Sequence, residues 1–571
     1  MNFVFFSPYT SMWNMSLIER AVYKNLQHEE NNLFIINCNE DLTDHCMVFN
    51  ALKLDNNASK EQKKKICKRC ISYKNLANKR LDNQYDIKNL LQENDFLEID
   101  RILETINLQN FRDIIVFDLP VGQIALHDFI LINKLSTLDS IEEDWNFYVN
   151  IFKTTLISLF AFKNFIKKNK VDCVISVNNL YSNHQVVAKF AEKNNMDCYA
   201  INPDSSIPHK QLQHLKIWKG VKAGMNHDAL INWKNQKFKL TDKQIQSTTN
   251  YISSSISGGH YLNFSQPKND KNKKFLFNKT KDYKKIISII LSGIEEDYCL
   301  ESSGVSINCL KKKKIFINQI EWVKKIIEFS KINKDIFFIV RPHPREWLKI
   351  KNNEFSENYH HLKNLFDKVN NDNFFIDYPK YNINIYDHAQ IANLFLTNGS
   401  STFVDFSLLG FPIIDSGLYK LQYPHNEDFD YDSIKEYFEK VHMALKTNRS
   451  IKISEKYFRW FAWTNSYDTI DISSQLTKDE NFNNVNFLYK FFSRILEHVN
   501  VYIFKNFELN KLNNVVNDNK IMLKKFFTNR KASLINSNLP KILSDEEHNV
   551  EINIEKIKKK IERNIFFKKV N

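Results

Sequence analysis

The chain has 571 residues, 43% of them hydrophobic and 13% aromatic, which is ample for packed interiors and excludes a disordered protein. Single cores stop growing near ~250–300 residues, so two domains are expected. The formal charge of +14 implies an anionic partner: nucleic acid, a lipid surface or a phosphorylated substrate.

Only 10 glycines are present, none before Gly122, so no G-x-G-x-x-G follows the first strand and no G-x-x-x-x-G-K-[ST] occurs. Dinucleotide-binding and P-loop readings lose their main support. No run of eighteen apolar residues exists, and the opening "MNFVFF" lacks the charged start and length of a signal sequence. A cytoplasmic protein is expected, with its 8 cysteines reduced or metal-bound rather than paired.

In chain order, apolar runs predict strands over 2–6 and 32–38 and another strand with a turn over 113–122, with a helix over 16–26 by its spacing. A long helix over 145–169 precedes a strand-helix-strand unit at 171–179, 183–195 and 196–203. Strands alternating with helices imply a parallel sheet covered on both faces. Residues 251–282 are polar, lysine-rich and punctuated by Gly258, Gly259 and Pro267, and read as a linker. A second alternating set follows: strand 284–293, helix 318–333, strand 335–344, strand 373–378, helix 384–393, strand 394–401, helix 402–410 and strand 411–415. The fold class is therefore α/β. Two Rossmann-like doubly wound domains, 1–250 and 283–450, precede a helical basic C-terminal extension, 451–571.

Residues 501–571 hold 15 Lys or Arg against 8 Asp or Glu, a net of +7, half of the total excess. Ile554, Ile557, Ile561 and Ile565 recur at steps of three and four, the pattern of an amphipathic helix with a lysine-rich face. Cys38, Cys46, Cys67 and Cys70 form C-x7-C-x20-C-x2-C, half of a zinc knuckle or simply reduced thiols. Cys173 and Cys198 sit within strands and read as core.

Ligands of open α/β sheets gather outside the carboxyl ends of the strands. Two such ends stand out. In "FFIVRPHPREW" (337–347) a buried-looking strand ends in Arg341-Pro342-His343-Pro344, where the prolines stop the strand and stiffen its exit. Arg341 as a forked donor and His343 as hydrogen-bond donor or proton source suit a phosphate; a solvated turn is the plainer reading. In "LFLTNGSSTFVDFSLLGFPIID" Asn398 and Gly399 turn the chain, Ser400 and Ser401 open a helix, and Gly410 sits at its C′ position. Hydroxyls and free amides at a helix start suit a phosphate or diphosphate, although one serine alone is an ordinary N-cap.

Together these elements resemble GT-B-fold transferases of bacterial surface polysaccharides: the capsule Kdo transferases, the bacterial polysialyltransferases and the CDP-glycerol glycerophosphotransferases. The resemblance covers roughly residues 284–420. It implies a cytidine-nucleotide-activated donor in the second domain, its phosphates held by a histidine-proline element and a serine pair. Here those are His343-Pro344 with Arg341 before them, and Ser400-Ser401 with Thr402 after. Polysialyltransferases also carry an acidic pair followed by glycine; in "GIEEDYC" (293–299) Glu296 and Asp297 are followed by Tyr298, so that element is imperfect.

The expected protein is a glycosyltransferase moving a sugar, from a CMP-sugar by preference, onto a capsular or lipooligosaccharide chain. Arg341, Asn398, Gly399, Ser400, Ser401 and Thr402 would bind the donor. His343 and Asp204 would be catalytic, with Asn178, Asn179 and His184 as further candidates near the acceptor. Neither metal nor cofactor is required, since fixed donors stabilise the departing phosphate. The basic terminal helix could rest on anionic lipid near a membrane-linked acceptor. A glycerophosphate-type transferase would use the same grip on a polyol-phosphate donor. A non-catalytic binder of nucleic acid or another anionic polymer rests on charge alone, without the aromatic interleaving of a nucleic-acid module.

Overall fold

The computed structural model describes residues 1–471 and 517–544, apart from 28–29, 55–57, 79–80, 204–213, 223–225, 235, 258–268, 306–313, 348–354, 419–422, 532 and 538–539, together with residue 557. Two sheets organise the chain. In the first, β1 (Asn2–Ser7), β2 (Asn32–Asn37), β3 (Gln84–Asp86), β4 (Cys173–Val177) and β5 (Asp197–Pro203) run parallel, and β6 (His214–Lys219) is antiparallel to β5. The second is wholly parallel: β7 (Lys285–Ile290), β8 (Ile336–Arg341), β9 (Phe374–Ile376), β10 (Leu394–Thr397) and β11 (Ile413–Asp415). Strand β12 (Ile470–Asp471) then returns to pair antiparallel with β6.

The first sheet has the order β3-β2-β1-β4-β5-β6-β12 and the second β9-β8-β7-β10-β11. Each begins in its middle and winds outward in both directions, the Rossmann pattern, so the chain forms two Rossmann-like domains in a GT-B-like arrangement. The reversal of winding falls between β1 and β4 in one sheet and between β7 and β10 in the other. Strands such as IFFIVR in β8 are buried along their whole length, as parallel strands covered on both faces must be.

Two expectations are corrected. Residues 113–122 make no strand: Phe117 and Asp118 both adopt positive φ and close a tight turn bridged by Val116 and Leu119, after which helix Val121–Asn133 begins. The expected helix 384–393 reduces to Ile385–His388. Within the expected linker 251–282, helix Asp242–Ile256 runs to residue 256 and helix Asp270–Thr280 buries Leu276. Cys173 and Cys198 are buried core residues, as read. The terminal helix expected around Ile554–Ile565 lies outside the described residues, apart from Ile557. Among the described residues no helix is long and apolar enough to cross a membrane, and no group of His, Cys, Asp or Glu is placed to hold a metal ion. Cys38, Cys46, Cys67 and Cys70 form no disulfide.

Helix Thr402–Leu408 is tied down by a buried carboxyl. Asp405 accepts the hydroxyls of Tyr251 at 2.9 Å and Tyr386 at 2.7 Å, yet burial pushes its pKa from 3.8 up to about 6. A carboxyl with a higher pKa folded than unfolded contributes stability that is whole below about pH 4 and is lost as pH rises through 6. The loss amounts to about 3 kcal/mol. Urea midpoints measured from pH 4 to pH 8 should fall across that window, and the near-isosteric Asp405→Asn should remove this part of the fall.

Candidate functional site

All five exits of the second sheet lie on one edge, and the reversal point puts the centre of that edge at β7 and β10. A chain of buried amides fixes these exits. Gln319 Oε1 accepts from the Ser292 amide at 3.0 Å and from Asn398 Nδ2 at 2.7 Å, and Ser416 Oγ donates to Asn398 Oδ1 at 2.5 Å. Asn398 is thus consumed in wiring three strand exits together rather than presented to a donor.

The Asp415 carboxylate accepts from Thr397 Oγ1 and from the amides of Gly399 and Gly417, each at 2.9 Å. Gly399 turns at φ +69, a backbone state that favours glycine. The turn leaves Ser400, Ser401 and Thr402 at the rim. Ser400 Oγ lies 2.9 Å from Thr402 Oγ1 and accepts weakly from the Thr402 amide at 3.4 Å, while exposed Ser401 makes no capping bond. The serine pair therefore divides its labour: one hydroxyl organises the turn and the other faces outward.

The β8 exit separates its two arginines. Arg341 points inward, donating to Asp377 Oδ2 at 2.6 Å and to the Ile383 carbonyl at 2.8 Å. Asp377 Oδ2 also meets His388 Nε2 at 3.0 Å, and His388 Nδ1 meets Ser288 Oγ at 2.8 Å. Burial works against the Asp377 carboxylate, but Arg341 and His388 more than offset it and hold its pKa below the ordinary value. Arg341 is a buttress under the rim, not the forked phosphate donor expected of it. The more exposed guanidinium is that of Arg345, and it too is paired: it reaches Glu295 Oε1 at 2.9 Å and also bonds Glu296. The acidic element thus engages through Glu295 and Glu296, one residue earlier than the expected pair.

His343 sits half-buried between these arginines. Its Nδ1 accepts the Arg345 amide at 3.3 Å, which assigns the ring proton to Nε2. Burial, with Arg345, Lys134 and Arg341 nearby, lowers its pKa to about 4. At neutral pH the ring is an uncharged donor, not an imidazolium acid.

The first domain meets this loop directly. Lys134 Nζ donates to the Arg345 carbonyl at 2.7 Å, Ser136 Oγ to Glu357 at 2.6 Å, and Gln185 Nε2 to the Ser303 carbonyl at 2.9 Å. Helix Glu295–Ser302 lies against helix Val121–Asn133 and buries Cys299 in the first domain's core. A cavity of about 640 Å³ opens at the junction, lined by Phe111, Arg112, Ser136, Thr137 and Asp139 of the first domain and Tyr298 of the second.

Of the first-domain candidates, Asp204 lies outside the described residues. Asn178 turns the β4 exit at φ +53. Asn179 is buried and bonds Cys198 Sγ at 3.1 Å. His184 is buried with its ring 4.8 Å from that of Tyr9, and burial lowers its pKa to about 3. Asn179 and His184 therefore have interior roles.

A cluster not read from the sequence lies beside them. Asp128 is fully buried, with His127 Nδ1 at 2.9 Å, His45 Nε2 at 3.3 Å and the Ser182 amide at 3.1 Å. Burial opposes its charge, yet the two imidazoles hold its carboxyl well below the usual range. The adjacent His-Asp pair in "ALHDF" was visible, but nothing in the sequence joins it to His45, some eighty residues away.

No protein-family model and no curated protein matches the chain. Among solved structures it is similar to the UDP-GlcNAc 2-epimerase of Neisseria meningitidis, with 13% identity over 81% of this chain and 94% of that one and a TM-score of 0.22. It is also similar to the N-terminal domain of Candida albicans trehalose-6-phosphate phosphatase, with 10% identity, 82% and 95% coverage and a TM-score of 0.29. The spinosyn rhamnosyltransferase gives 7%, 81%, 95% and 0.22. Overlaps this loose carry no activity across; the two strand orders define the fold.

Proposed function

We propose that the protein is a glycosyltransferase that moves a sugar from a nucleotide-activated donor, a CMP-sugar by preference, to a saccharide acceptor of a surface polysaccharide or lipooligosaccharide. The observation that carries this reading is the placement of the His343 and Ser400-Ser401-Thr402 exits on either side of β7, at the reversal point of a Rossmann-like sheet. Adjacent strands lie ~4.8 Å apart, so exits two strands apart flank a gap of about 10 Å, which suits a nucleotide's phosphates gripped from both sides. A neutral N–H on one side and hydroxyls and a turn on the other supply fixed donors where negative charge develops as the phosphate departs.

The junction cavity supports a saccharide acceptor, because hydroxyls, charged groups and aromatic rings are what a polyhydroxylated ligand requires. A thermal-shift screen with CMP-, UDP- and GDP-sugars tests the donor, followed by product analysis. A CMP-sugar should raise the melting temperature, and turnover should release CMP with a glycosidic product. A phosphodiester product would instead make it a polyol-phosphate transferase, and no response to any nucleotide sugar would end the proposal.

A further inference from the structure

We infer that the second domain carries a separate binding site for a sugar phosphate, away from the donor rim. A cavity of about 630 Å³, within the size range of small-molecule sites, opens between helix Ile434–Ala444, helix Ile451–Ala462 and the short turn Glu427–Phe429. One of its walls is Ser450, whose amide bonds the Gly410 carbonyl at 2.8 Å. Gly410 lies just past the end of helix Thr402–Leu408, so this wall stands at the opposite end of that helix from Ser400, Ser401 and Thr402.

Lys440, Lys452 and Lys456 line the cavity, and among the described residues none of the three forms an ion pair. Lys440 Nζ donates to the Asp428 carbonyl and Lys456 Nζ to the His425 carbonyl, each at 3.0 Å, a single bond for a group with three donors. Exposed Lys452 bonds no described residue. Burial pulls the Lys456 pKa below its ordinary value and Glu427 opposes it from beyond pairing distance, which leaves an ammonium short of counter-charge. The one carboxylate in the lining is that of Asp428. A phosphomonoester brings about two negative charges and three strong acceptor oxygens, the complement of three ammoniums with a single acid among them.

The rest of the lining suits a sugar as the body of the ligand. Asn426, Asp428 and Ser450 offer amide, carboxylate and hydroxyl groups to sugar hydroxyls, and Ser450, the N-cap of helix Ile451–Ala462, spends no side-chain bond on capping. Met443 and Ile453 give an apolar wall for the C–H face of a pyranose. A nucleotide fits less well, because bases are held on open aromatic faces and the rings of Phe429 and Tyr457 are only 4% and 1% exposed. An anionic bilayer fits no better, since exposed Glu427 and Asp430 beside the turn would repel it.

Detection of the site needs no transferase activity. The full chain is titrated by calorimetry with glucose 6-phosphate, glucose 1-phosphate and N-acetylglucosamine 6-phosphate, against inorganic phosphate and free glucose. At least one sugar phosphate should bind, inorganic phosphate should bind about 10-fold or more weakly for want of the hydroxyl contacts, and glucose should not bind. Lys452→Glu should weaken the sugar phosphate by about 10–100-fold without lowering the melting temperature of the free protein, since an acid in the first turn suits a helix start. Lys440→Gln, on the neighbouring helix, should give a second, independent loss. Ser401→Ala, at the donor rim, should keep the full response. Failure of all three sugar phosphates to bind, equal binding of inorganic phosphate, parent-like affinity in both lysine variants, or a response lost in Ser401→Ala would each overturn the assignment.

Discussion

His343→Ala is expected to lower kcat for sugar transfer by about 10²–10³-fold without moving the melting temperature, since one fixed donor to a developing anion is worth that much. The Arg345 amide orients the ring through Nδ1, and the flanking Pro342 and Pro344 fix the backbone on either side. The donor is Nε2–H on a neutral ring. Its contribution should therefore be steady from pH 5 upward and decline only as pH falls through about 4, where protonation removes the acceptor for the Arg345 amide. His343→Gln, which keeps an N–H at similar reach, should lose less than the alanine variant. Initial rates at saturating donor between pH 4 and 8 decide the matter; an unchanged rate in His343→Ala removes the residue from the mechanism.

Arg341→Ala should cost stability rather than chemistry: about 3–5 kcal/mol, read from the urea midpoint, because it strands the Asp377 carboxylate in the interior. The Asp377 side chain is 1% exposed, and after the loss only His388 would remain to offset its charge. Pairing Arg341→Met with Asp377→Asn should recover much of the loss, since it removes both charges together. A midpoint indistinguishable from the parent in Arg341→Ala would show that the ion pair contributes nothing net. Donor affinity per folded molecule should survive in the double variant, which separates a buttress from a ligand.

Much of the architecture was legible because its causes are local. Continuous apolar runs marked β1, β4, β7 and β8, and the helix over 145–169 ends one residue earlier, at Lys168. The turn at Gly399 and the C′ position of Gly410, at φ +79, followed from backbone chemistry alone. Residues 113–122 gave their turn but not the expected strand, because an apolar run cannot reveal that Phe117 and Asp118 will both turn left-handed. The short strand β3 carries almost no apolar signal.

The site was legible as positions but not as partners. R-P-H-P predicted a rigid exit, yet which arginine faces the rim depends on Asp377, thirty-six residues downstream. His127 and Asp128 announced nothing until the fold set His45 and Ser182 around them.

The return of the chain to its starting sheet has a mechanical consequence. β12 zips onto β6, and Leu523, Phe526 and Phe527 of helix Asn517–Thr528 pack among Phe3, Tyr23 and Tyr199. The second domain is therefore an insertion, threaded out of the first and stitched back into it. Two crossings of the chain thus join the domains, and helix Glu295–Ser302 adds a third tie by burying Cys299 in the first domain's core.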